Sequence, residues 1–148
     1  DVDRPEEAEA RLRESLRLAE EIEDRRGQAL ARLFLGILLW ENADVEAAPM
    51  LARTLELALE MGLNRVEALA LAILARVDRE AGAFDIALER TSHAIDLLDK
   101  YGAELGDRIV IVATYALVLR SLGRTDEAVR KSFSRAMARL TLLLREAP

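Results

Sequence analysis

The sequence predicts an all-α fold of stacked helical hairpins, and three observations carry the prediction. Ala, Leu, Glu and Arg dominate the 148 residues, with only seven Gly and three Pro, so helix is favoured nearly everywhere. Half of the chain is apolar (51%) and a third is charged (32%), the balance of a folded chain with a sizeable core rather than a disordered one. The third observation is a short pattern that recurs every 39 to 41 residues, in "ADVEAAPMLARTLELAL" from Ala43, "GAFDIALERTSHAIDLL" from Gly82 and "GRTDEAVRKSFSRAMARL" from Gly123. In each, an alanine follows the small turn residue by five positions, as Ala48, Ala87 and Ala128, and Ala8 lies 40 before Ala48. A second column of small residues, Gly36, Ala75 and Ala116, stands seven positions before each turn, behind Leu35, Leu74 or Tyr115. Each repeat is therefore a helical hairpin, and the chain opens halfway through one.

Taken in order, about seven antiparallel helices are expected, at 5–23, 25–41, 45–61, 64–81, 84–101, 107–122 and 125–145. Pro5 suits a first helical turn. Asp24, Asn64 and Asp107 are expected N-caps. Gly62 to Asn64 and Tyr101 to Ala103 read as breaks between hairpins. One domain of 1–148 is thus expected, with a half-repeat at 1–24 and full repeats at 25–63, 64–104 and 105–148. Because the chain begins at Asp1, it reads as a fragment of a larger protein.

The second helix is the least ordinary. In "LARLFLGILLW", Leu30 to Trp40, nine of eleven residues are apolar and Arg32 is the one charge. The run is about half the roughly 20 residues of a membrane span. No export signal is visible, and cytoplasm is the expected location. At about 100° per residue, Leu35, Gly36 and Leu39 share the side on which the hairpin partner packs. Leu30, Leu33, Phe34, Ile37 and Trp40 fall on the opposite side.

The columns "small residue, gap, Gly, bulky residue, Ala" resemble the tetratricopeptide repeat, most closely in "AGAFDIALERTSHAI" and "SLGRTDEAVRKSF". The step of about 40 exceeds the usual length of about 34 and is similar to the longer-helix variants found in bacterial signalling regulators. Arg32 and Asp78 depart from the pattern in inward columns, as do Thr125, Pro5 and Ala52 in others. The resemblance implies an α-α superhelix, a solenoid of three full hairpins plus the leading half. It also implies that the first helix of each hairpin lines a concave groove. The groove residues would then be Leu30, Leu33, Phe34, Ile37 and Trp40; Leu69, Ala72, Ile73, Arg76 and Arg79; and Val110, Ala113, Thr114, Leu117 and Arg120. Should neighbouring first helices instead pack on one another, Leu33, Phe34, Ile37 and Ile73 become internal.

These features point to a protein-protein interaction module that takes a helical or extended apolar peptide segment, one carrying acids for the arginines, as the scaffold or sensor part of a larger regulator. The alternative is a self-association domain with no foreign ligand. For it, the apolar stripe of the last helix, Phe133, Met137, Leu140, Leu143 and Leu144, is the expected contact, covered by a symmetric homodimer, by head-to-tail contact between copies, or by a further helix of the parent chain. The charge is two-ended: residues 1–24 carry a net -6 and residues 124–148 a net +3, within a total of -6. That balance and a floor of Leu, Ile and Ala argue against nucleic acid. No enzyme is expected. His93 is the only histidine, there is no cysteine, and neither a glycine-rich phosphate loop nor a metal-ligand set recurs, so no cofactor or metal is expected.

Overall fold

The computed structural model describes residues 4–123 continuously and, beyond them, residues 131, 134, 135, 137, 138, 141, 142, 145 and 146. Among the described residues there are six helices and no strand: α1 (Pro5–Glu21), α2 (Arg25–Glu41), α3 (Ala47–Met61), α4 (Asn64–Glu80), α5 (Phe84–Tyr101) and α6 (Leu105–Leu122). The all-α class is as the sequence predicts, with six helices in place of about seven. The seventh, at 125–145, falls largely on residues outside the described set. The chain divides into two compact units, 1–70 and 71–148.

A turn closes every helix about 20 residues after the last. Left-handed backbone stands at Glu23, Ala43, Gly62, Gly82, Gly102 and Gly123. At the first four the same six-residue bond follows: Asp24 N to Ala19 O, Asp44 N to Leu39 O, Leu63 N to Ala58 O and Ala83 N to Asp78 O, all at 2.8–2.9 Å. This closure occupies carbonyls that a helix end leaves unbonded. Glycine supplies the positive φ freely at 62 and 82, whereas Glu23 and Ala43 hold it with a Cβ.

Helix starts follow local chemistry. Pro5 occupies the first turn of α1, and Asp24 caps α2 by accepting the Gly27 N–H at 2.9 Å. That carboxylate lies so close that a Cβ at residue 27 would overlap it. The other two expected caps are corrected. Asn64 is the first residue of α4 rather than its cap. Asp107 is the third residue of α6 and buried, because extended backbone at Glu104 lets the helix begin at Leu105. There it still faces the positive end of the helix dipole. α3 starts at Ala47 rather than at 45, since Asp44 Oδ1 accepts the Glu46 N–H in a turn. Pro49 then sits in the first turn, where its missing N–H costs nothing.

In unit 1, α2 packs between α1 and α3. Leu35, Leu39 and Ala47 form a cluster against which Leu12, Leu16, Trp40 and Met50 pack. A Cβ placed on Gly36 would lie 2.7 Å from Leu51 Cγ, so the glycine is what lets α2 and α3 approach. In unit 2, Ala75, Ala87 and Val118 form the corresponding cluster, with Leu88 and Leu122 against it. The two charges in inward columns are each neutralised by a residue twelve positions away. Arg32 reaches Glu20 at 2.9 Å and Arg90 reaches Asp78 at 2.7 Å. Among the described residues no helix is long and apolar enough to cross a membrane.

Candidate functional site

The side chains predicted to line a groove divide by burial. On α2, Leu30, Ile37 and Trp40 are half-buried, Phe34 is 44% exposed, and Leu33 is buried at 1%. Trp40 lies against the core cluster of unit 1. On α4, Leu69, Ala72 and Ile73 are buried, and on α6 Thr114 is buried. Leu33, Leu69, Ala72, Ile73 and Thr114 therefore present no surface to a partner. Val110 and Leu117 are half-buried, while Ala113 and Arg120 are exposed.

Within unit 2 the reason is visible, since α4 and α6 touch directly. Arg76 Nε donates to Thr114 Oγ1 at 2.8 Å, and Arg79 Nε donates to Ser121 Oγ at 2.7 Å. Each hydroxyl in turn donates to its own helix, Thr114 to Val110 O and Ser121 to Leu117 O. The two arginines thus bridge helices. Burial lowers the Arg76 pKa from its ordinary value, Arg79 nearby lowers it further, and Glu80 opposes both. Desolvation and like charge both disfavour the guanidinium, so its bond to Thr114 carries weight. Thr114→Val keeps the shape and removes that acceptor. The expected result is a loss of about 1–3 kcal/mol, read from the urea midpoint at unchanged slope. An unchanged midpoint would mean that the arginine is content without the hydroxyl.

Two recesses of unit 2 are lined by described residues. One, of about 450 Å³, is lined by Ala113, Ala116, Leu117 and Arg120 of α6. Three of the four stand in the predicted groove columns, and no side-chain hydrogen bond or ion pair joins the Arg120 guanidinium to a described residue. Its chemistry is simple: small side chains leave room for an apolar group, and a guanidinium at the helix end can take a carboxylate. The other recess, of about 490 Å³, is lined by Leu71 of α4 and by Ile86, Glu89, Arg90 and His93 of α5. The groove columns do not include it, although Ile86, Glu89, Arg90 and His93 have the spacing of one helix face. Arg90 is already held by Asp78 there.

Among the described residues no group of three or more His, Cys, Asp or Glu could hold a metal ion. Of the stripe predicted for self-association, Met137 is 37% exposed, and Phe133, Leu140, Leu143 and Leu144 lie outside the described residues. Comparison with known protein families, with curated proteins and with solved structures returns no match.

Proposed function

We propose that this chain is a repeat module of the tetratricopeptide type that docks an amphipathic or extended apolar segment of another protein, as the scaffold or sensor part of a cytoplasmic bacterial regulator. It works by binding and makes or breaks no covalent bond. The observation that carries the reading is the α6 recess, where Ala113, Ala116 and Leu117 leave an apolar hollow beside the Arg120 guanidinium, which no described side chain engages. Within unit 1, Phe34, exposed on α2 with half-buried Leu30 and Ile37 on its own face, offers a separate apolar surface. Arg76 and Arg79 are assigned to holding α4 against α6 and not to the ligand.

An apolar side chain seated in the hollow supplies affinity, and a carboxylate near Arg120 supplies orientation. The test is a displayed library of amphipathic helical peptides selected on the intact chain. Sequences with an apolar stripe ending in Asp or Glu are expected to enrich. Ala113→Glu and Arg120→Glu, both at exposed positions, are each expected to weaken the selected peptide by tenfold or more while leaving the circular dichroism unchanged. Selected peptides that bind both variants as well as they bind the parent chain would remove the recess from the mechanism.

A further inference from the structure

α1 and its C-cap residue Ile22 expose an apolar pair that their repeat counterpart does not. Leu18 is 46% and Ile22 73% exposed. A step of 39 residues, within unit 1, places Ser15, Leu18 and Ile22 on Thr54, Leu57 and Met61 of α3. Thr54 and Leu57 are buried and Met61 is half-buried. The same step carries Leu12 to Leu51, Leu16 to Leu55 and Ala19 to Ala58, so the alignment holds from Leu12 to Ile22. α1 therefore bears a face of the type that this repeat covers, and bears it uncovered. The face is rimmed by acid. Arg17 is already bound by Glu14 at 2.7 Å and by Glu21 at 2.9 Å, whereas Glu23, next to Ile22, is exposed and makes no ion pair with any described residue.

We infer that α1 of one copy docks, through Leu18 and Ile22, into the α6 recess of a second copy, with the acids beside Ile22 meeting Arg120. The inference rests on the reading of that recess as a docking surface, for which α1 of a second copy then competes with a foreign segment. Complementarity of both kinds favours this occupant. An exposed apolar ridge meets a hollow lined by Ala113, Ala116 and Leu117, and a segment of net -6 (residues 1–24) with exposed Glu23 beside Ile22 meets the Arg120 guanidinium. The two surfaces differ in charge and shape, so the contact is heterologous: each copy offers both faces and association runs head to tail.

Sedimentation velocity of the intact chain, over a concentration series up to hundreds of micromolar and at two salt levels, is the measurement. The weight-average mass is expected to rise past that of a dimer with concentration and to fall at high salt. Ile22→Glu and Arg120→Glu, each at an exposed position, should each leave a folded monomer. An equimolar mixture in which Ile22→Glu supplies the recess and Arg120→Glu supplies α1 should form a one-to-one dimer and stop there. A parent chain that remains monomeric throughout overturns the inference, as does a mixture that fails to pair, which would point to a symmetric contact. A monomeric parent chain that still captures library peptides at Ala113 and Arg120 removes this occupant and leaves the docking reading standing. Loss of both removes both.

Discussion

Gly36→Val is expected to cost the chain about 2–3 kcal/mol of stability, read as a lower urea midpoint at unchanged slope. A Cβ built at residue 36 stands 2.7 Å from Leu51 Cγ and 2.8 Å from its Cδ2. Leu51 is fully buried, so its side chain has no open space to swing into. Either it adopts an unfavourable rotamer, or α2 and α3 separate and loosen the packing of Leu35, Leu39 and Ala47. Valine adds stiffness at χ1 in a helix, and its propensity advantage over glycine, about 0.5 kcal/mol, is too small to offset the overlap. Gly106→Ala is the control. Nothing lies within 4 Å of a Cβ there, and the substitution is expected to stabilise by about 0.5 kcal/mol. A Gly36→Val chain as stable as its parent would mean that the two helices do not approach at that point.

That close approach was legible because glycine weakens a helix, and a lone one inside an apolar run marks a place where a side chain would not fit. The Leu35, Gly36 and Leu39 side of α2 follows from spacing alone and is buried as predicted. Turn positions were legible where glycine marks them, at 62, 82, 102 and 123. Ala43 was legible as a turn through its place in the repeat, 39 residues before Gly82, whereas the left-handed backbone at Glu23 carried no such mark. The starts of α3 and α6 shifted for a local reason. A turn bond from Asp44 and an extended Glu104 moved each start by two residues, and hydrophobic spacing is blind to both.

The interaction surface was less legible, because periodicity tells which side of a helix a residue occupies and not what lies beyond it. Phe34, Ile73 and Thr114 share one column of the repeat, yet Phe34 is exposed and the other two are buried. For Thr114 the difference comes from Arg76 of α4 reaching across to its hydroxyl. An arginine beside a predicted groove looks like a ligand contact in sequence, and nothing in the spacing reveals that a threonine 38 positions on will accept its bond. The guanidinium of Arg120, in the same column as Arg79, was left without a described side-chain partner by the same accident of neighbours.

Leu33 and Phe34 turn that distinction into a measurement, since adjacent residues of one helix are expected to respond in opposite ways to the same substitution. Leu33 is 1% exposed and Phe34 44%. Leu33→Glu removes about 1.5–3 kcal/mol of apolar burial and puts a carboxylate where water cannot reach it, a further cost of several kcal/mol. Against a typical total of about 5–15 kcal/mol, that is expected to leave the far-UV spectrum largely unfolded at neutral pH. Part of the loss should be recovered in acid. Burial raises the pKa of the introduced carboxyl above the unfolded value of about 4.3, so its ionisation penalty is absent below that value and sets in as pH climbs past it. Phe34→Glu gives up part of an already wet ring and is expected to cost under about 1 kcal/mol, with no such acid recovery. Equal tolerance of the two substitutions would mean that α2 is turned about its axis from the orientation described, and the exposed contact assigned to Phe34 would go with it.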